Sequence, residues 1–304
     1  MASGLKKTVL TLAVFAVAGA GAFLFLTRPQ PYAQDVFVDA GEPDLKNGET
    51  VFWTGGCVSC HAAAGAEGDA QLVLSGGLGL KSPFGTFYPP NISPDPDAGI
   101  GNWTLAEFAS AMKRGVGKNG EHLYPSFPYN SYSRMTDADI RDLFAFLKTL
   151  PKSGNRTRSH DLPFPFNIRL SLGGWKFLYY GDKPHVDVVS ADDRVKRGQY
   201  LVEGAGHCGE CHTPRDILGG WKAAEWLAGA PNPEGKGIIP DITPGGKDVG
   251  GWSASDIAYY LESGFTPDFD SAGGSMAEVQ RNMAHLSTED REAIAAYLKA
   301  IPAR

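Results

Sequence analysis

The strongest feature in the hydrophobic pattern is an uncharged, mostly apolar run from Thr8 to Thr27, led by Lys6 and Lys7. Its length is close to the ~20 residues a helix needs to cross a bilayer. A cleavable export signal has a shorter core, followed by a small-x-small site. Ala18-Gly19-Ala20 is small enough, but Phe23-Leu24-Phe25-Leu26 follows, and a cut there would leave an apolar end. The pattern therefore favours an uncleaved anchor over residues 1–30 rather than a removed signal peptide. The leading lysines place the N terminus in the cytoplasm and everything after the anchor outside it.

Beyond the anchor the pattern turns amphipathic and repeats. Ile140, Leu143, Phe144 and Leu147 recur at helical spacing, between a Thr136 start and a Pro151 stop. Ala293, Ile294, Tyr297 and Leu298 do the same between Ser287 and Pro302. Apolar residues at i, i+3, i+4 and i+7 give such helices one buried face, and proline ends them. Opening helices are predicted from Asp44 to Gly55 and from Asp192 to Gly204. Thr104 with Glu107, and Ser253 with Asp256, read as N-caps with an acid three residues on, each starting a middle helix. Pro151 and Pro302 are 151 residues apart, a shift that signals duplicated domains rather than a solenoid. The predicted organisation is an all-α chain with one domain over 31–152, a linker over 153–190 and a second domain over 191–304. The linker holds Pro163-Phe164-Pro165-Phe166 and Trp175-Lys176-Phe177-Leu178-Tyr179-Tyr180, too aromatic for a free tether. It is expected to pack along the junction, or to present a surface to a partner or a membrane.

Composition narrows the class. With 304 residues there is room for two domains, each with its own core. A net charge of -6, without a basic stripe, argues against a nucleic-acid partner.

The cysteines carry the chemistry. All four lie in two Cys-x-x-Cys-His runs, Cys57-Val58-Ser59-Cys60-His61 and Cys208-Gly209-Glu210-Cys211-His212. A zinc half-site gives no reason for histidine after each second cysteine, and a redox dithiol wants a strand before the motif. The run is the attachment signature of a c-type haem: two thiols three positions apart each add to one vinyl group, and the histidine falls under the ring. Cys57, Cys60, Cys208 and Cys211 are thus expected to hold two haems, with His61 and His212 as proximal iron ligands. Three short helices around each motif, with long loops, describe two tandem class I cytochrome c domains behind a transmembrane helix.

A haem that only shuttles electrons usually keeps a sixth ligand, while an open position admits small-ligand chemistry. In the second half Gly273-Gly274-Ser275-Met276 precedes the last helix, so Met276 is the expected distal ligand, with Met283 as its competitor. In the first half the loop reads His122-Leu123-Tyr124-Pro125-Ser126-Phe127-Pro128-Tyr129, and Phe cannot bind iron. Met135, His122 and an open site remain; Met112 lies in mid-helix and reads as core.

Several stretches together resemble the multihaem cytochrome c subunits of membrane-bound bacterial dehydrogenases that oxidise alcohol, gluconate, fructose, aldehyde or nicotinate. They are Pro90-Asn91-Ile92-Ser93-Pro94-Asp95, Gly99-Ile100-Gly101-Asn102-Trp103, Met135-Thr136-Asp137, Gly206 to Arg215, and Gly273 to Val279. Such subunits commonly carry three haems, where this chain has two motifs, and Phe127 replaces the methionine of their Met-Pro-Tyr motif. The resemblance implies a carrier in the bacterial inner membrane with its haem domains in the periplasm. It would take electrons from a dehydrogenase or respiratory-complex subunit and pass them to a soluble cytochrome, an oxidase or quinone. The rival expectation is a peroxidase or thiosulfate-oxidising enzyme with an open first haem.

Overall fold

A computed structural model describes every residue except 1, 38–40, 189–191, 234 and 236. The boundary expected between residues 190 and 191 lies outside the described residues. Helix α1 (Ala2–Leu26) extends away from the rest, meeting the fold at its last turn near Phe23, with its apolar side chains exposed from Leu5 to Leu26. It is the one helix among the described residues long and apolar enough to span a membrane.

The first half is built on α2 (Leu45–Thr54), α3 (Cys57–His61), α4 (Leu105–Arg114), the single turn α5 (Tyr129–Tyr132) and α6 (Asp137–Leu147). Each long helix starts at a polar cap. Asp44 accepts from the amides of Lys46 and Asn47, and Thr136 from that of Asp139. Thr104 and Glu107 form a reciprocal capping box on α4, and Gly115 ends that helix in the left-handed region at φ 55°. Helices α2 and α6 pack face to face around Phe52, Ile140, Leu143 and Leu147, all essentially buried. They cross at Gly48, where a Cβ would stand 2.2 Å from the Asp142 carbonyl oxygen. Only glycine permits an approach that close.

A helix α7 (Ser171–Tyr179) follows in the intervening segment, and the second half repeats the plan. It has α8 (Asp193–Glu203), α9 (Gly209–His212), α10 (Ala254–Ser263), α11 (Ser275–Met283) and α12 (Thr288–Ala300). Ser253 and Asp256 make the second capping box, and Ser287 caps α12. Helices α8 and α12 cross at Gly198, with an added Cβ only 1.9 Å from the Ala293 carbonyl oxygen. Even loop closures correspond. Lys148 Nζ donates to the carbonyls of Ile100 and Gly101, and Lys299 Nζ to those of Gly250 and Trp252. The halves differ where α11 supplies more than two turns and its counterpart α5 only one.

Two antiparallel hairpins decorate the loops: β1 (Leu80–Ser82) pairs with β2 (Gly85–Phe87), and β3 (Ala230–Pro231) with β4 (Ile238–Ile239). Residues 153–180 lie against both halves. Asn91 Nδ2 donates to the carbonyls of Ser153 and Asn155, while Trp175 Nε1 donates to Leu218 and Tyr179 Oη to Asp216. A polar network also crosses the junction. Buried Glu203 accepts from the His185 amide and from Tyr297 Oη, and faces Arg134 of the first half at 3.8 Å. Buried polar groups that satisfy one another fix a single arrangement of the parts around them.

Candidate haem sites

Gly55 and Gly56 end α2 and turn the chain, with Gly56 in the left-handed region at φ 56°. The turn of helix that follows places Cys57 and Cys60 three positions apart on one face, with His61 at its end. His61 Nδ1 lies 2.8 Å from the Pro90 carbonyl oxygen. A carbonyl only accepts, so Nδ1 carries the proton and Nε2 keeps its lone pair. The second motif repeats this geometry: Cys208 stands at the N-cap of α9, Cys211 lies within it, and His212 Nδ1 lies 2.8 Å from the Pro240 carbonyl. Both prolines open the loop runs Pro90–Pro94 and Pro240–Pro244, whose part in orienting histidine has no signal in residue type.

Burial sets the protonation states. It pushes the Cys57 and Cys208 thiols up to about 12, with Cys60 and Cys211 adding to the effect. It pulls His61 down to about 4 and lowers His212 as well. Each site therefore offers a neutral imidazole, with one nitrogen oriented by a backbone carbonyl, beside one desolvated thiol, Cys57 or Cys208, and a second cysteine nearer the surface, Cys60 or Cys211. An oriented, neutral imidazole is the form that binds a metal. The donor set fits a covalently held haem.

Other expected ligands fall as follows. Met135 is 2% exposed and lines a small cavity with Cys57, Met112, Tyr132 and Leu143, closed on one side by Ala205 of the second half. Met112, read as core from sequence, shares that cavity. His122 is buried elsewhere: its Nε2 donates to the Thr27 carbonyl at the end of α1, 2.8 Å away. Phe127 packs on Tyr132 with ring centroids 5.6 Å apart. Met276 is the second residue of α11 and half-buried against the core, while Met283 at the far end of that helix is 4% exposed.

The segments flanking the two motifs touch, which sequence separation hides. His207, just before Cys208, donates from Nε2 to the Gly55 carbonyl at 3.2 Å, and its ring meets the edge of Tyr132. Asn282 Nδ2 donates to Ser59 Oγ at 2.7 Å, inside the first motif. Trp53 stacks on His285 at 3.7 Å with the planes 3° apart. The surroundings of the two Cys-x-x-Cys-His segments share one packed junction.

The second motif has a further aromatic wall. The Trp226 ring lies on Gly209, where a Cβ would come within 2.2 Å, and His185 stacks on Trp226 at 3.7 Å. Burial, aided by Arg134, pulls His185 from 6.5 to about 3. Between those values the unfolded chain binds the proton more readily than the folded one. The stability this neutral ring preserves is complete above pH 6.5 and is lost as pH falls toward 3. By pH 5 the loss is about 2 kcal/mol, at one and a half units of 1.36 kcal/mol each. His185→Phe keeps the stack and should flatten that part of the acid limb in urea titrations. An unchanged slope between pH 7 and pH 5 would contradict this account.

Comparison with known proteins agrees with the site chemistry. The cytochrome c family profile matches residues 45–151. A diheme cytochrome c-type protein of Cereibacter sphaeroides is 56% identical over 96% of this chain and 97% of its own length. The fructose dehydrogenase cytochrome subunit of Gluconobacter japonicus is 36% identical over 99% of this chain. The cytochrome c subunit of the quinone alcohol dehydrogenase of Gluconobacter oxydans is 38% identical over 87%. The chain spans 60% and 56% of the lengths of those last two proteins. Helical packing, oriented imidazoles and paired cysteines define a c-type cytochrome. The chain belongs to the cytochrome c family; it binds haem c and transfers electrons, and is similar to cytochrome subunits of dehydrogenases.

Proposed function

We propose that the protein is a membrane-anchored carrier with two tandem cytochrome c domains, taking electrons from a dehydrogenase and delivering them to a further acceptor on the periplasmic side. The observation that carries this reading is the duplicated motif geometry. Each Cys-x-x-Cys-His turn is followed by a loop whose proline carbonyl holds the histidine Nδ1, 2.8 Å away in both halves. The diheme relative matches nearly the whole chain, which supports a count of two. Cys57, Cys60 and His61 would hold one haem, and Cys208, Cys211 and His212 the other. Met135 and Met276 would supply the distal sulfurs. Met135 stands in the cavity beside Cys57, and Met276 follows Gly273 and Gly274, which carry no Cβ to hinder a close approach.

A bound haem contributes one-electron chemistry between Fe(III) and Fe(II). The polypeptide orients the imidazoles through Pro90 and Pro240, and ties together the segments that carry the two motifs through His207 and Gly55. Fixed surroundings change little between oxidation states, which suits a carrier. The dehydrogenase donor is inferred from the similarity to cytochrome subunits of fructose and alcohol dehydrogenases, and the acceptor is a soluble cytochrome, an oxidase or quinone.

Support for a retained anchor comes from the end of α1. The Thr27 carbonyl accepts from buried His122, and Arg114 donates to the carbonyls of Gln30 and Pro31. Tyr32 donates its amide to Ser110 Oγ. The residues leaving α1 are thus fastened along α4. Lys6 and Lys7 orient the anchor so that both haem segments lie outside the cytoplasm.

The ligand assignment is tested by Met135→Leu and Met276→Leu. Each should leave one iron of the two five-coordinate, halving the sulfur-to-iron charge-transfer absorption and admitting carbon monoxide to that haem when reduced. Its potential should fall, because thioether ligation favours Fe(II). Spectra identical to those of the unaltered protein would contradict the assignment.

A further inference from the structure

Helix α7 carries apolar side chains on the face turned away from the folded halves. Its inner face is spent on the protein. Leu172 is buried against Phe87 and Tyr124, and Lys176 Nζ donates to the carbonyls of Arg114 and Gly115. Trp175 Nε1 donates to the Leu218 carbonyl. The outer stripe is Leu170, Gly173, Gly174, Phe177 and Leu178, at the i, i+3, i+4, i+7 and i+8 spacing of a single helical face. Its two glycines receive the last turn of α1. A Cβ on Gly173 would stand 2.6 Å from the Thr27 carbonyl oxygen, and one on Gly174 3.2 Å from the Phe23 ring. Only the middle of the stripe is thereby covered. Leu170, Phe177 and Leu178 remain 53%, 70% and 63% exposed. The segment leading into the helix exposes Phe164 as well, at 78%.

We infer that this stripe lies in the headgroup region of the bilayer and sets the cytochrome at a fixed angle on the membrane surface, an inference that rests on α1 being a retained anchor. The depth is right. Helix α7 meets α1 at Phe23 and Thr27, straddling Leu26, where the apolar span ends. Phe23 lies three residues inside that end, about 5 Å at 1.5 Å per residue. Interfacial amphipathic helices bury their apolar face by about 5–10 Å at that boundary. At Leu26 the anchor leaves the hydrocarbon, so side chains flanking it there meet lipid on either side. Arg28, whose guanidinium sits 4.2 Å above the Phe25 ring, marks the level of the phosphates. The patch is therefore continuous with the lipid-facing surface of α1, and a bilayer is the occupant that this continuity selects. A protein partner is the competing occupant.

The test uses the full-length, haem-loaded protein in phosphatidylcholine–phosphatidylglycerol vesicles, with both haems oxidised so that the iron adds the same relaxation whichever reagent is present. Single cysteines at Phe15→Cys and Phe177→Cys carry nitroxide labels; the haem-bound cysteines do not compete. Both positions are exposed, so the fold tolerates the change. Relaxation by oxygen, which concentrates in lipid, is compared with relaxation by a water-soluble nickel chelate. The inference predicts an oxygen effect several-fold above the nickel effect at both positions. Nickel dominating at 177 while oxygen dominates at 15 would overturn it and leave the anchor intact. Protection of 177 from both reagents would mean that protein covers the stripe, and would also overturn it. Nickel dominating at 15 would remove the anchor, and this inference with it.

Discussion

Replacing Gly198 with alanine should destabilise the second half by about 3 kcal/mol, the upper end of ordinary overpacking costs, and Gly198→Val should cost more. The new Cβ would lie 1.9 Å from the Ala293 carbonyl oxygen and 2.8 Å from Tyr297 Cβ. Neither neighbour is a flexible side-chain end, so α8 and α12 must move apart as rigid bodies. That separation would loosen Leu201, Val202, Ile294 and Tyr297, the buried residues the crossing brings together. It would also strain the bond from Tyr297 Oη to Glu203. Gly48→Ala should act in the same way on the first half, with the Asp142 carbonyl 2.2 Å from the added atom. Urea midpoints of the haem-loaded variants check this. A midpoint within experimental error of the unaltered protein would show that the crossings are looser than the structure has them.

Cys208→Ala combined with Cys211→Ala should remove one haem of two and leave the other attached. The purified variant should weigh less by one haem, beyond the small loss of sulfur, and show half the haem absorbance per polypeptide. Its second half should also lose stability, because the site beneath the Trp226 wall would lack the apolar disc that it is built to hold. The first motif should persist, since its own cysteines, His61 and Pro90 are untouched. Retention of two haems in the variant would show that these cysteines are not the attachment points. Loss of both would show that the halves load as one unit, through the His207–Gly55 contact.

Local grammar was the most readable part of the chain. The caps at Thr104, Thr136, Ser253 and Ser287 are short-range matters of one side chain and the next few amides, and all four stand where the pattern puts them. The helices closed by Pro151 and Pro302 follow from periodicity in the same way. Helices α7 and α11 were not anticipated. The first has aromatic residues and two glycines in place of a polar face, and the second opens at Gly274 without a side-chain cap. The candidate site stood out in the sequence because covalent haem attachment would demand a fixed spacing: cysteine, two residues, cysteine, histidine. What orients the histidine did not, because the partner is a backbone carbonyl and any residue has one. The contacts between motifs were equally silent, since Gly55 and His207 are 152 positions apart. His122 shows the limit from the other side. As a histidine in the right loop it was a reasonable axial candidate, yet the structure spends it on the end of α1.

The account stands on two haems held covalently by this single chain. Intact-mass measurement of the purified, membrane-extracted protein under denaturing conditions tests that most directly. It should give the mass of the polypeptide plus two haems, both surviving acid and organic solvent because thioether bonds hold them. A mass equal to the bare polypeptide, or to the polypeptide plus one haem, would contradict it.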